Sequence, residues 1–550
     1  MYYILRSFLL FIISLGFIAL NAQKRTVGLV KYSTQNQAGY MLYTPMNGKK
    51  TFLVDKCGKK VHEWTSNYFP GLSSCLFPDG SLLRTGTVLN PNFGLGVGGV
   101  LEKYDWNGNL TWSYEQSDTL EALHHDVQIM PNGNILAIVW EKRTVAECIA
   151  KGRNPANTTV PLWSEHIVEL QTFGKDSFDI VWEWRAWDHM VQDFSNKKPN
   201  FGVVADHPEL FDINHFETDN NGQDWFHLNS ISYNPINDQI ILNAHSLNEF
   251  YIIDHSTNLF QAAAHSGGNR GKGGDVLYRW GNPVTYGRGT SADQKLYKQH
   301  HAHWIKSEFE DGGSIMVFNN GWNRPDGNYS TIDVVTPPAD VNGNYTISAG
   351  TAFGPTSAKI VYKAPVATSF YSQIISGAYS LPNGGLFITS GLQGRMFETD
   401  SKDSIVWQYI NPQTSSGLVS QGTVLGNPSN NSVFRAEYYP MDFAGFASKT
   451  LSPIGEIETA PYAKTLCELV SISNEKHSSF VKLSPMPFVD ILKIENTEAT
   501  DVQVFALNGQ NVYSGKFESN VNLSFLNAGV YFLQLSGKNG TSIHRILKQN

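Results

Sequence analysis

Leu381-Pro382-Asn383-Gly384-Gly385-Leu386-Phe387 is a polar turn running straight into an apolar strand, and the same phrase recurs along the chain. It returns as Phe77-Pro78-Asp79-Gly80-Ser81-Leu82-Leu83, Met130-Pro131-Asn132-Gly133-Asn134-Ile135-Leu136, Asn237-Asp238-Gln239-Ile240-Ile241-Leu242 and Asp311-Gly312-Gly313-Ser314-Ile315-Met316. Pro428-Ser429-Asn430-Asn431-Ser432-Val433 is a weaker copy. The Asn-Gly and Asp-Gly pairs supply the positive φ that tight hairpins demand. Trailing these hairpins come strands ending in aromatic residues: His62-Glu63-Trp64, Trp112-Ser113-Tyr114, Trp182-Glu183-Trp184, Tyr278-Arg279-Trp280, Trp407-Gln408-Tyr409 and, more weakly, residues 359–363. A repeated hairpin with an aromatic closing strand indicates an all-β chain, read here as a six-bladed β-propeller with insertions. Five or seven blades, or a large β-sandwich, are the alternatives.

Composition agrees with that class. Of 550 residues, 41% are hydrophobic, 16% charged and 12% aromatic, with 13 Trp and 24 Tyr. The net charge of −8 offers no basic face for nucleic acid. Residues 1–22 read as a signal peptide: a weakly basic start, an apolar run from Phe8 to Leu20, and a small-residue cleavage point at Asn21-Ala22-Gln23. No later stretch reaches the roughly 18 apolar residues of a membrane span, so no transmembrane segment is expected in the mature chain. Only four cysteines occur, and Cys57 with Cys75 is a candidate local bridge. The propeller is expected over 23–459. Within it, an insertion from about Ala186 to Gln223 offers two candidate short helices, Trp187–Asp193 and His207–Asp212.

After a patternless linker at 460–480, residues 481–550 alternate in the manner of a small β-sandwich C-terminal domain. Pro485, Pro487 and Phe488, then Asp490, Leu492 and Ile494, then Gly509, Leu526, Gly529 and Tyr531, and the basic end from Arg545 to Lys548, give this tail its pattern. It resembles the Bacteroidetes type IX secretion C-terminal sorting domain. That resemblance implies the type IX secretion machinery as a partner, passage through the periplasm of a Gram-negative cell, and a secreted or cell-surface location.

Histidine is the informative residue. Sixteen occur, and none lies between Trp304 and Lys476. They gather at His124-His125-Asp126, at Trp225-Phe226-His227-Leu228-Asn229-Ser230 and at Gln299-His300-His301-Ala302-His303, each just before a hairpin. Equivalent positions in different blades converge on one end of a central channel, so these imidazoles are expected to meet. Strand alternation puts His301 and His303 on one side and His300 on the other. The glycine-rich stretch Ser266–Asp275 fails the phosphate-loop pattern, since Gly273 stands where Ser or Thr should be. It reads as a loop near the site.

Asp224-Trp225-Phe226-His227-Leu228-Asn229-Ser230-Ile231, Leu277-Tyr278-Arg279-Trp280-Gly281-Asn282-Pro283, Gln299-His300-His301-Ala302-His303 and Phe318-Asn319-Asn320-Gly321 together resemble the arylsulfotransferase family over roughly residues 40–445. The resemblance implies transfer of a sulfuryl group from an aryl sulfate ester to a phenol, without a nucleotide cofactor, through a sulfohistidine. His227, His300 and Arg324 would match its site residues. His125 is a further catalytic candidate, and Asn229, His303, Asn320 and Tyr371 are candidate substrate contacts. Imidazole is a nucleophile or proton shuttle near neutral pH, and a guanidinium suits sulfuryl oxygens. In the family, the nucleophilic histidine lies downstream of the arginine; here the matching stretch, Phe370–Gly377, has none. Another imidazole such as His125 or His300 takes that role, or transfer is direct, or the activity has changed. A non-catalytic propeller binding glycans or sulfated polymers, and a histidine-ligated metalloenzyme, are the rival readings.

Overall fold

The structure is a computed structural model that describes residues 25–549 apart from 95, 97, 217–221, 427–429, 463–465, 468–480, 496–498, 507–509 and 538–539. The signal peptide, most of the linker and the Asn508-Gly509 turn lie outside the described residues. The chain divides into two compact units, Met1–Thr465 and Leu466–Asn550.

In the first unit, antiparallel sheets of four strands follow one another along the chain. The second sheet runs Pro70–Leu76, Leu82–Thr87, Gly99–Tyr104, Leu110–Glu115. The third runs Glu121–Ile129, Ile135–Arg143, Leu162–Phe173, Ser177–Arg185. The fourth runs Leu228–Asn234, Gln239–Ala244, Glu249–Asp254, Tyr278–Trp280, and the fifth His300–Trp304, Ile315–Asn319, Thr331–Val335, Lys359–Tyr362. The sixth holds Gly377–Ser380, Leu386–Ser390, Arg395–Thr399 and Ile405–Ile410, with Gly28–Tyr32 added at its outer edge. The first sheet joins both ends of the unit: Val433–Tyr439 pairs with Tyr40–Pro45, followed by Lys50–Asp55 and Lys60–Thr65. Of the weaker copy, the described residues 430–433 lead into this first strand.

Each first strand donates a backbone N–H to the sheet before it. Leu76 N–H bonds the Tyr439 hydroxyl, and His125 N–H bonds Gly96 O in the second sheet's loop. Ile231 N–H bonds Asp126, Ala302 N–H bonds Ser230, Ala378 N–H bonds His301, and Ala436 N–H bonds Thr389. These bonds link each sheet to the one before it, and the first to the sixth. Apolar layers fill the gaps between them, such as Leu83, Leu101, Ile135 and Ala137 between the second and third.

Among the described residues, the insertion after Arg185 holds no α-helix. Ala186–Asp188 and Val204–Asp206 are single 3-10 turns, and Met190–Val191 pairs in parallel with Phe211–Asp212. His207 precedes Pro208, which disfavours helical backbone there, and it sits at φ −121°, ψ 62°. Cys57 is disulfide-bonded while Cys75 is a free thiol, so the local bridge does not form.

In the second unit, strands Lys482–Ser484, Ile491–Glu495 and Asn520–Asn522 form one sheet, and Asn511–Lys516, Asp501–Ala506, Gly529–Gly537 and Gly540–Lys548 the other. Phe488, Leu492, Val502, Val504, Leu533 and Ile546 make its core.

A buried ion pair fastens the insertion to the fourth sheet. Arg279 donates to both Glu249 carboxylate oxygens at 3.1 and 2.5 Å, to Thr285 Oγ1 at 2.8 Å and to Leu210 O at 3.0 Å. Glu249→Ala strands a buried guanidinium and is expected to cost about 3–5 kcal/mol of unfolding free energy in a urea titration. A loss below 1 kcal/mol would show that Arg279 finds other partners.

Candidate functional site

The first strands break their pairing at the same depth. Register shifts fall between Pro70 and Ser74, at the partners of residues 124–126, between Leu228 and Ser230, and between His300 and His303. A non-glycine residue with positive φ sits at or next to each break: Leu72, His125 and His301 within theirs, and His227 one residue ahead of the fourth sheet's. Ile375 and Ser376 take that conformation just ahead of the sixth sheet. Such bulges re-aim side chains away from the pleat.

Imidazoles from the third, fourth and fifth sheets meet there. The His125 and His227 ring centroids are 4.5 Å apart, His227 and His245 are 4.9 Å apart, and His245 and His300 are 5.2 Å apart. His227 Nδ1 is 2.5 Å from Asp224 Oδ2. Nδ1–H donates to that carboxylate, which leaves Nε2 with its lone pair on a side chain 18% exposed. His125 Nδ1 is 2.9 Å from His124 Nδ1, and His124 Nε2 is 2.9 Å from Glu165 Oε2, which forms a continuous chain Glu165–His124–His125. Trp140 stacks on His124 at 4.0 Å. Gly96 lies against His125, where a Cβ would come 2.0 Å from Cε1; only glycine fits over that ring.

His300 is spoken for. Asn320 Nδ2 donates to Ser372 O and Ile375 O, so its Oδ1 must face His300 and accept from Nδ1 at 2.8 Å. His300 Nε2 then accepts from Ile375 N–H at 3.1 Å. Asn320 thus positions His300. Asn229 is buried and bonded to Gln299 O and Asn243. His301 and His303 share a side and stack at 4.2 Å. They line a separate cavity of about 850 Å³ with Cys75, Tyr379, Arg435 and Glu437. Arg435 makes a bidentate pair with Asp126 at 2.9 and 3.2 Å. Tyr371 is half-buried, with no ring contact to the histidines.

Arg324 is not among these groups. Its guanidinium lies over Tyr297 and Tyr329 and donates to Thr331 Oγ1 at 3.1 Å. The Gly-rich stretch packs elsewhere too, with Asp275 bonded to His189 and His265.

Three features escaped sequence reading. His245 stands between His227 and His300 with both ring nitrogens shut from solvent and without a hydrogen-bond partner. Lys298, buried and donating to Ser246 O at 3.4 Å, lies near enough to lower the basicity of His245. Leu72, Ile375 and Phe434, with Met46, form an apolar cluster from the second, sixth and first sheets. Phe434 is 6.3 Å from the His125 ring, so this cluster adjoins the imidazoles. The signal for His245 was its place at the end of a second strand; the apolar cluster left none.

Burial lowers the basicity of the ring: His124, His125 and His245 fall well below the ordinary value, next to their neighbouring imidazoles, and His300 falls to about 3. His124, His125, His245 and His300 therefore rest as neutral imidazoles.

The family model for arylsulfotransferase (ASST) matches residues 29–435, and that for a secretion system C-terminal sorting domain matches residues 482–549. No curated protein matches the sequence. Among solved structures, virginiamycin B lyase from Staphylococcus aureus is 11% identical, with 71% of this chain and 85% of that chain covered and a TM-score of 0.31. A putative 6-phosphogluconolactonase from Bacteroides fragilis is 11% identical, covering 74% and 99%, with a TM-score of 0.30. At such TM-scores these likenesses bear on neither activity nor site. No helix among the described residues is long and apolar enough to cross a membrane.

Two outcomes follow from the geometry. Histidines whose folded basicity is depressed stay neutral while the unfolded chain takes up protons, so stability is greatest above pH 6.5 and falls as pH drops below it. Each such histidine adds up to about 1.4 kcal/mol per pH unit to that slope. Urea midpoints measured between pH 7.5 and 5 check this; a flat profile is the contrary result. His245→Leu removes two unpaired buried polar atoms and is expected to be neutral or stabilising by about 1–3 kcal/mol, read as a raised urea midpoint, while impairing function.

Proposed function

The chain belongs to the arylsulfotransferase family over residues 29–435 and so carries a sulfuryl-transfer domain, within which we propose that His227 is the nucleophile of a ping-pong transfer from an aryl sulfate ester to a phenol. The six sheets act as six blades about one channel. The sorting domain at 482–549 directs the protein out of the cell or onto its surface.

The observation that carries this reading is the divided ring. One half is imidazole, with His227 Nε2 unbonded and aimed by Asp224; the other half is Leu72, Ile375 and Phe434. An aryl sulfate has the same division, an apolar ring and a polar anionic head. With the aryl group on the apolar side, His227 Nε2 attacks sulfur, the S–N bond forms and the S–O(aryl) bond breaks. The leaving phenolate takes a proton from His125 Nε2, resupplied along Glu165–His124–His125. The acceptor phenol then returns a proton to that chain as its oxygen attacks the sulfohistidine. His245 and the Lys298 ammonium hold sulfuryl oxygens, since charge-assisted donors in a dry site stabilise the transferring group most. His300, with both nitrogens engaged, forms the wall and no bond to sulfur. Ile375 stands in the stretch where the family has its nucleophile, so the role moves to the histidine with the free nitrogen. Arg324, held by Tyr297 and Tyr329, has no part in the step.

Wild-type protein is expected to release nitrophenol from p-nitrophenyl sulfate only when a phenolic acceptor is present. His227→Asn keeps a residue that tolerates positive φ and is expected to lower turnover by about 10³-fold or more, and Asp224→Asn by about 10²-fold. Quenched with donor alone, the peptide bearing His227 should gain one sulfuryl group. No release from folded wild type with several aryl sulfates overturns the reading, as does full activity in His227→Asn.

A further inference from the structure

Away from the channel, the two ends of the Gly-rich stretch and the start of the insertion come together. His189 Nδ1 and His265 Nδ1 each lie 2.7 Å from the same atom, Asp275 Oδ1. These three ligating atoms lie within 4.8 Å of one another. On its other side, His189 Nε2 is 2.9 Å from the backbone oxygen of Ala262. A carbonyl oxygen can only accept, so Nε2 carries the proton and the neutral ring presents a bare lone pair at Nδ1. That lone pair is aimed at a carboxylate oxygen. Two lone pairs at 2.7 Å repel, so a cation belongs between them, either an extra proton or a metal ion.

The surroundings are those of a ligand set. An imidazole that ligates through one nitrogen commonly gives its other N–H to a carbonyl, which fixes the tautomer and orients the ring. His189 is fully buried and stacks on Trp184 with centroids 5.6 Å apart and planes 5° apart. Trp184 Nε1 in turn donates to Gly274 O at 2.7 Å. The Gly273-Gly274 pair lets the loop lie this close, since a Cβ on Gly274 would come 2.7 Å from His189 Nε2 and 2.0 Å from Ala262 O. His265 is the open side, 59% exposed, through which an ion can enter and a water can complete the shell.

We propose that His189 Nδ1, His265 Nδ1 and Asp275 Oδ1 bind one divalent transition-metal ion, zinc by preference, that fastens the insertion to the Gly-rich loop. Two imidazoles and one carboxylate suit zinc or its neighbours in the first row, whereas calcium and magnesium take oxygen sets. With ligand bonds of about 2.0–2.1 Å in a tetrahedral shell, the ligating atoms stand about 3.4 Å apart. Both contacts therefore widen by several tenths of an ångström, a movement that the exposed His265 ring supplies on its side and a turn of the Asp275 carboxylate supplies toward the buried His189. This ion is structural, shares no residue with the imidazole ring and does not depend on the sulfuryl-transfer reading.

The test uses the full chain, stripped with a chelator and titrated with zinc against a chromophoric competitor. Wild type is expected to take up one equivalent more than His265→Ala and Asp275→Asn, with affinity weakened more than about 100-fold in either variant. Because His265 is exposed, His265→Ala keeps the fold, and unchanged urea unfolding of the metal-free proteins checks that. Cobalt in place of zinc should give wild type the intense visible bands of a tetrahedral site and leave His265→Ala without them. Zinc should raise the thermal midpoint of wild type and not of His265→Ala. Equal zinc uptake by wild type and both variants, or none by any, overturns the proposal and leaves a proton as the shared cation.

Discussion

The structure depends on a conformation that side chains avoid. At the inner end of successive sheets, Leu72, His125, His227, His301 and Ile375 hold positive φ without being glycine. Each costs of order 1–3 kcal/mol, and each persists because its neighbours over-determine it. Near the breaks, strand N–H groups that cannot continue the ladder bond the preceding sheet: Leu228 N–H to Glu165, Ala378 N–H to His301, Ile375 N–H to His300. One local strain therefore does two jobs. It turns a side chain toward its counterparts from neighbouring sheets, and it frees the donors that hold one sheet to the next.

Electrostatics inside the ring follow from burial. Successive imidazoles stand 4.5 to 5.2 Å apart, centroid to centroid, and burial holds His124, His125, His245 and His300 neutral. Beside them lies the buried Asp126–Arg435 pair, whose carboxylate also accepts the Ile231 N–H. That pair neutralises itself and separates the imidazoles from the cavity that His301 and His303 line.

The sequence told much of the scaffold. The turns at 77–81, 130–134, 237–238, 311–314 and 381–385 each join a first strand to a second, and Trp112, Trp182, Trp280 and Trp407 lie on fourth strands. A local phrase could reveal them because a hairpin is a local object. The first sheet could not be read that way, since its first two strands come from opposite ends of the unit. The site was half legible. His125, His227 and His300 stood in clusters, but their division of labour rests on tautomers set by Asp224, Asn320 and a backbone N–H. Arg324 carried the family's spacing and faces two tyrosines instead. Leu72, Ile375 and Phe434 are ordinary apolar residues in three unrelated stretches, and only their shared depth makes them a surface.

The first sheet has a further consequence. Tyr40–Pro45 pairs on one side with Lys50–Asp55 but on its other side only with Val433–Tyr439, and Gly28–Tyr32 finds its partner only in Ile405–Ile410. Nearly the whole unit must emerge before either pairing exists, so a growing or translocating chain carries an open sheet edge throughout. Such an edge invites pairing with other chains. Folding of this unit is accordingly a race between its own last strand and a stranger's, and whatever delivers the chain to the outside must keep that edge covered until residue 439 has passed.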